Sequence, residues 1–139
     1  MIPYGRQTIE DDDIQAVVEV LKSDYLTTGP KIAEFEKMVA DYVGAKYAVA
    51  ISNGTSALHA ACFAAEIKPG DEVITTPLTF AASANCVLYC GGTPIFADVD
   101  PKTYNIDPAD IERKITSNTK AIIAVHLAGQ LAPEFLWHF

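Results

Sequence analysis

Apolar residues along the chain alternate between helical spacing and short continuous runs. Gly, Pro, Asn and Asp mark the boundaries between these segments. The helices predicted from the spacing cover residues 8–21, 30–44, 57–66, 80–89 and 108–114. The predicted strands cover residues 46–52, 72–75, 93–97 and 120–126. Because strands separated by helices need right-handed crossovers, the pattern predicts a three-layer α/β fold with a mostly parallel, four-stranded sheet.

Single residues mark several of the predicted helix ends. Thr8 is a candidate N-cap of the first helix, followed by an acidic first turn that suits the positive helix end. Pro30 suits the first position of the second helix, and Gly44 is expected to end it.

Composition limits the classes of partner and compartment. Half of the 139 residues are hydrophobic, so a core can form, and the net charge is −8 with scattered basic residues. This balance argues against nucleic-acid and anionic-membrane surfaces, which need clustered Lys and Arg. No secretory signal or stretch of about 20 apolar residues is visible. The three cysteines, Cys62, Cys86 and Cys90, lack a C-x-x-C spacing; we expect buried, reduced thiols and a cytoplasmic location.

The most informative stretch is residues 52–58, where a predicted strand turns into a helix through Asn53 and Gly54. The backbone amides of Gly54, Thr55 and Ser56 are predicted to be free at the helix N-terminus, where they could bind a phosphate group without any cation. Ordinary capping of the helix by the hydroxyl of Thr55 or Ser56 is the alternative.

Other candidates lie where later strands end. Phe80 is predicted in the first turn of a helix at the carboxyl edge of the sheet, where it could stack on a planar ligand or pack in the core. Asp98 and Asp100 follow the third predicted strand, and Pro101 after them favours a turn-capping role. His126 ends the fourth strand and could face the same crevice. Hydrolase and zinc-protease motifs are absent from the sequence.

Several of these segments together resemble the DegT/DnrJ/StrS family of sugar aminotransferases, pyridoxal-phosphate enzymes of the aspartate-aminotransferase fold type. The resemblance runs from residue 2 to about residue 130 and rests on an ordered set of motifs. These motifs are residues 25–30, 35–36 with 42–45, 52–58, 69–74, 79–85 and 94–100. Within the family, the sequence is most similar to the branch that aminates UDP-4-keto-6-deoxy-N-acetyl-altrosamine on the route to pseudaminic acid.

The resemblance implies roles for specific positions. Gly54, Thr55 and Ser56 would hold the phosphate of pyridoxal 5'-phosphate, and Phe80 would stack on its ring. Substrate contacts to the nucleotide-sugar are implied for six positions: Tyr4, Asp24, Tyr25, Leu26, Thr27 and Gly54. Glutamate would be the amino donor, the location cytoplasmic, and the assembly a homodimer or higher homo-oligomer.

Two family residues have no match in this chain: the lysine that forms a Schiff base with the cofactor and the aspartate that pairs with its pyridinium nitrogen. None of the eight lysines lies in the expected motif. Residues 1–130 are therefore predicted to be the N-terminal part of a large transferase domain, inactive alone, with weak or no cofactor binding. Residues 131–139, rich in aromatic residues, are predicted to be an atypical tail that arose by truncation, frameshift or artificial termination. A short C-terminal segment packed on the surface is the alternative.

Two other functions stay open at this point. A sugar dehydratase of the same superfamily replaces the lysine with histidine, and the position that would discriminate has no match here. A non-catalytic module that binds phosphate or a nucleotide-sugar could use the same helix N-terminus.

Overall fold

The computed structural model describes residues 5–133 and divides the chain into two compact units, Met1–Ala50 and Ile51–Phe139. The first unit holds helices α1 (Asp11–Leu21) and α2 (Pro30–Val43). The elements of the second unit, in chain order, are α3 (Gly54–Ala64), β1 (Glu72–Thr75), α4 (Ala82–Tyr89), β2 (Thr93–Phe96), α5 (Pro108–Lys114), β3 (Thr119–Ile123) and a short 3-10 turn (Leu127–Gly129). Among the helices of residues 5–133, none is long and apolar enough to cross a membrane.

The ends of the two helices in the first unit follow local chemistry. The prediction that Thr8 caps α1 is wrong, because the cap is Glu10, whose N–H donates to Asp13 Oδ2 at 2.9 Å. The carboxylate of Asp13 thus accepts the N–H of the capping residue, and the cap of α1 lies two residues later than expected. For α2 the prediction is confirmed: Pro30 is its first residue, and Gly44 ends it in the left-handed conformation at φ 69°.

The predicted strand over residues 46–52 is also wrong. These residues form no strand, and Tyr47 and Val49 are both 76% exposed. The N–H of Ala50 donates to the carboxylate Oε1 of Glu36 at 2.9 Å. An apolar run becomes a buried strand only where a neighbouring strand accepts its amides, and none of the described strands pairs with it.

The second unit contains a parallel sheet in the order β2-β1-β3. It confirms the predicted α/β class with a parallel sheet and has three strands instead of four. The central strand β1 alternates its side chains between two cores, because successive residues of a strand point to opposite faces. Val73 packs with Cys62, Cys86 and Val87 beneath α3 and α4, and Ile74 packs with residues around α5.

The cysteines are confirmed as free thiols. Cys62 and Cys86 are buried in the α3–α4 core, and Cys90 is half-buried. Desolvation and the neighbouring Cys86 raise the pKa of the Cys62 thiol to about 12. These thiols therefore act as small apolar side chains that join α3 to α4.

Candidate functional site

The carboxyl ends of the three strands form one edge of the sheet in the second unit. Thr75 at the end of β1 is in register with Phe96 of β2 and Ile123 of β3. The buried hydroxyl of Thr75 donates to the backbone oxygen of Ile123 at 3.1 Å, which ties the two strand ends together. Ligands of open parallel sheets bind outside this edge, so the residues that follow these strand ends are the candidates for a site.

The first turn of α3 exposes two backbone amides. Asn53 is the N-cap: its Oδ1 accepts the N–H of Ser56 at 2.8 Å, and its backbone oxygen accepts the N–H of Ala57 at 3.0 Å. The N–H groups of Gly54 and Thr55 have no acceptor within residues 5–133. The predicted set of three free amides is thus reduced to two, and the capping residue is Asn53 instead of Thr55 or Ser56.

These residues fit a phosphate group. A Cβ placed on Gly54 would meet no atom within 4 Å, so the approach to the two amides is open. The hydroxyl-bearing Thr55 and Ser56 next to them are half-buried. Amides at the positive end of an 11-residue helix stabilise an anion without a cationic side chain.

The C-terminal end of α3 lies near the amino end of β2. A Cβ on Gly92, just before the amino end of β2, would lie 2.7 Å from the side chain of Ile67, three residues after α3. The end of α3 therefore lies at the amino edge of the sheet. The N-terminus of this 11-residue helix is about 16 Å away along the helix axis.

Phe80 presents its ring to solvent at the start of α4. The side chain is 76% exposed, which argues against the core-packing alternative. The helix begins at Ala82, two residues later than predicted, and the backbone oxygen of Phe80 accepts the N–H of Ser83 at 3.1 Å. Within the described part of the chain, no hydrogen bond or ring contact joins Phe80 to Gly54, Thr55 or Ser56.

The implied nucleotide-sugar residues lie in the first unit, except Gly54. Tyr25 and Leu26 are 61% and 64% exposed in the loop between α1 and α2, which also holds Asp24 and Thr27. The loop is tightly folded, because a Cβ on Gly29 would lie 2.9 Å from the Cβ of Tyr25. Tyr4 lies outside the described residues.

The acidic pair after β2 has a local structural role. Asp100 Oδ1 accepts the N–H groups of Lys102 and Thr103 at 2.8 and 2.9 Å, and these bonds lower the pKa of its carboxyl group. Asp98 Oδ1 accepts the N–H of Val99 at 2.8 Å. The predicted turn-capping role is confirmed, and within residues 5–133 no three His, Cys, Asp or Glu side chains converge as metal ligands.

One buried polar residue was missed in the sequence analysis. Asn105 is 1% exposed, and its amide bonds to the backbone of residues 127–131. Its partners are more than 20 residues away, so local sequence carries no signal for these bonds. His126, predicted to end a strand, follows β3 by three residues, and its Nδ1 accepts the N–H of Ala132 at 2.9 Å.

Comparison with known proteins decides the family. Residues 7–135 match the model of the DegT/DnrJ/EryC1/StrS aminotransferase family. The chain belongs to this family. It is 50% identical over 129 residues to the spore coat polysaccharide biosynthesis protein SpsC of Bacillus subtilis, covering 93% of this chain and 33% of SpsC. It is 49% identical over 131 residues to GDP-perosamine synthase of Caulobacter vibrioides, covering 94% of this chain and 35% of that protein.

A solved structure supports the same assignment for this DegT-family chain. The putative sugar aminotransferase Spr1654 of Streptococcus pneumoniae, in its PLP form, matches with a TM-score of 0.92 at 34% identity. The match covers 99% of this chain and 35% of that one. The chain thus spans about a third of the length of the curated relatives that it matches. Its fold is that of part of a pyridoxal-phosphate-dependent sugar aminotransferase.

Proposed function

We propose that this chain contributes the phosphate-binding part of a sugar-nucleotide aminotransferase that uses pyridoxal phosphate and glutamate. The observation that carries the proposal is the pair of amides at Gly54 and Thr55 at the start of α3, which have no acceptor within residues 5–133. Membership of the aminotransferase family and the pyridoxal-phosphate form of Spr1654 support the same cofactor. When bound, the cofactor supplies an electron sink for the exchange of an amino group.

The residues of this chain would bind and orient the cofactor. The amides of Gly54 and Thr55, with the hydroxyls of Thr55 and Ser56, would hold the phosphate dianion. The exposed ring of Phe80 would stack on the pyridine ring, which is planar and apolar on its faces. In this proposal residues 1–130 are part of the large domain, and residues 131–139 are an atypical tail.

The proposed substrate is a UDP-4-keto-6-deoxy-sugar for a pathway of pseudaminic-acid type or a related polysaccharide, in the cytoplasm. Tyr4 and the loop residues 24–27 would contact it. The exposed side chains of Tyr25 and Leu26 suit this role, because they offer an aromatic and an aliphatic surface on a closed loop. GDP-perosamine synthase is named for a GDP-sugar, so the nucleotide base is the part of the proposal that most needs a direct test.

We further propose that the 139-residue chain transfers no amino group by itself. Its lysines occupy structural or surface positions: Lys31 and Lys37 pair with Glu34 and Asp41 within α2, and Lys114 Nζ donates to the backbone oxygen of Phe96 at 2.7 Å. A lysine engaged on a helix surface does not supply an activated amine. Incubation with pyridoxal phosphate and borohydride should therefore label no single lysine stoichiometrically, and such labelling would contradict this part of the proposal.

Binding of pyridoxamine phosphate tests the cofactor site. This analogue has no aldehyde, so it cannot condense with surface lysines, and equilibrium dialysis detects weak binding. The variant Phe80→Leu should bind about two- to tenfold more weakly, because an aromatic stack contributes about 0.5–1.5 kcal/mol. The matched control is Phe63→Leu on α3, whose ring is 77% exposed, and it should bind like the wild type.

The outcomes of this experiment separate the functions. Of the two expectations for this chain, weak cofactor binding and no cofactor binding, the proposal adopts weak binding. No binding of pyridoxamine phosphate at millimolar concentration, or equal affinities of the Phe80→Leu and Phe63→Leu variants, would therefore contradict it. Binding of a UDP-sugar without any binding of pyridoxamine phosphate would indicate a nucleotide-sugar-binding module instead.

A further inference from the structure

The segment after β3 is bonded back onto the loop before α5. The side-chain Nδ2 of Asn105 donates to the backbone oxygens of Gln130 and Leu131 at 3.2 and 3.0 Å. Its Oδ1 accepts the N–H of Leu127 at 3.1 Å. We call residues 126–132 the strap. A single buried side chain thus makes three hydrogen bonds to the strap.

The far end of the strap is closed by a second bond. His126 Nδ1 accepts the N–H of Ala132 at 2.9 Å, so that nitrogen carries no proton in this arrangement. Ala132 is itself buried. The strap is therefore a closed loop whose shape is set by Asn105 and His126, although its residues 127 and 131 are far from Asn105 in the sequence.

The strap follows the end of β3, which lies next to the end of β1 at the carboxyl edge of the sheet. The chain after β1 continues into α4, which covers one face of the sheet with Cys86 and Val87. The strap is bonded to Asn105, whose neighbour Ile106 belongs to the core on the opposite face. Adjacent strands that send their chains to opposite faces leave a crevice between them, and this is where open sheets bind ligands.

We infer that Asn105 is a positioning residue for the cofactor ring: it holds the strap as the wall of the crevice opposite the start of α4. This inference rests on the proposed function. The phosphate would bind at the amides of α3, on the α4 face, while the ring would extend along the edge between Phe80 and the strap. Loosening the strap should therefore weaken binding of the ring and leave binding of phosphate alone unchanged.

The variant Asn105→Asp tests the inference. It keeps the size of the side chain but places a carboxylate oxygen against the backbone oxygens of Gln130 and Leu131, where the amide nitrogen donated. Binding of pyridoxamine phosphate should fall about tenfold, as expected when buried acceptors lose their donors, whereas binding of inorganic phosphate should be the same as in the wild type. The matched control is Asn118→Asp, the same substitution at an exposed turn residue whose side chain makes no hydrogen bond within residues 5–133.

A second variant covers the case in which Asn105→Asp does not fold. His126→Leu removes the acceptor of the Ala132 N–H at an exposed position, and it should show the same selective loss. Hydrogen exchange should report faster exchange of the Ala132 N–H in both variants, because Gln130 and Leu131 lose their donor in Asn105→Asp and the Ala132 N–H loses its acceptor in His126→Leu. Exchange in β1 should not change in either variant.

The results distinguish this inference from the proposed function. Failure of the wild type to bind pyridoxamine phosphate would overturn both. Wild-type binding that stays unchanged in both strap variants, despite faster exchange in the strap, would overturn only the role of Asn105. An equal loss of pyridoxamine phosphate and inorganic phosphate binding would indicate a general structural effect and would also overturn it.

Discussion

At the scale of single residues, Asn53 connects helix stability with anion binding. Its side chain caps α3 through the N–H of Ser56, next to the two amides proposed to hold phosphate. The cap and the proposed phosphate site share the first turn of α3. A change in charge at position 53 should therefore affect helix stability and phosphate binding differently. Residue 53 can therefore separate the two functions experimentally.

Substitutions at Asn53 should divide the two effects. Asn53→Ala should destabilise the chain by about 0.5–2 kcal/mol in urea unfolding, because the N–H of Ser56 loses its acceptor. Asn53→Asp should keep wild-type stability, since Asp caps equally well, but bind inorganic phosphate about fivefold or more weakly through charge repulsion. Stronger phosphate binding by the aspartate variant would contradict the placement of the anion.

Asp110 on α5 should make stability depend on pH. The N–H of Asp98, which donates to Asp110 Oδ2 at 2.6 Å, lowers the pKa of this carboxyl group, and Arg113 at 2.9 Å adds to the effect. The pKa in the unfolded chain is about 3.9. The stabilisation is therefore complete above that pH and is lost as the pH falls through the lower pKa of the folded state.

The variant Asp110→Asn should lack this pH-dependent stabilisation. Unfolding in urea should find the variant less stable than the wild type at pH 7, with the difference shrinking as the pH is lowered toward about 3. Glu112→Gln, an exposed neighbour on the same helix, is the matched control and should follow the wild type. A constant difference between Asp110→Asn and the wild type across the pH range would rule out the carboxylate as the cause.

Much of the site chemistry could be predicted at the residue scale, and one part could not. A small-residue turn before a helix predicts exposed amides wherever it occurs, so Gly54 and Thr55 were identified from sequence. The hydrogen bond from the N–H of Ser56 to Asn53 could not be predicted, because several hydroxyl and amide side chains compete for that N–H. Asn105 was missed because its partners come from a segment more than 20 residues later.

At the scale of elements, the spacing of apolar residues and the Gly, Pro, Asn and Asp residues between segments predicted most of the helices and strands. They did not predict which strands would pair. The bounds of α5 and β1 agree with the prediction. Pro108 and the charged residues at the C-terminus mark the ends of α5, and a short apolar run marks β1. Residues 46–52 have the same apolar character as β1 and yet form no strand. Whether such a run becomes a strand depends on a partner strand, which its own residues do not encode.

The contact between the end of α3 and the start of β2 should tolerate no added volume. A Cβ at position 92 would lie 2.7 Å from Ile67 Cγ2 and 3.0 Å from Val87 Cγ1, both in the buried core. Gly92→Ala should therefore lower the free energy of unfolding by about 1–3 kcal/mol in urea denaturation. Gly5→Ala, where a Cβ meets nothing within 4 Å, is the control, and equal stabilities of the two variants would show that the core can yield.

At the scale of the whole molecule, exposed apolar surface predicts self-association. Large apolar side chains on α1 are more than half exposed, including Val17 at 60% and Leu21 at 64%, and within residues 5–133 no further strand pairs with the outer edges of β2 and β3. Light scattering with size-exclusion chromatography should find a homodimer or larger species that grows with concentration. Val17→Lys should reduce association more than Gln15→Lys, a control at an exposed polar position on the same helix, and a monodisperse wild-type monomer would contradict this expectation.

The central claim is that the first turn of α3 binds the cofactor through its phosphate. Amide resonances of the ¹⁵N-labelled chain, titrated in parallel with pyridoxamine phosphate, pyridoxamine and inorganic phosphate, test it at the atoms concerned. We predict that both phosphate-bearing ligands shift the amide resonances of Gly54 and Thr55 by more than those of any other residue, and that pyridoxamine leaves these two resonances unmoved. Shifts centred elsewhere, or Gly54 and Thr55 resonances that respond to pyridoxamine alone, would contradict the account.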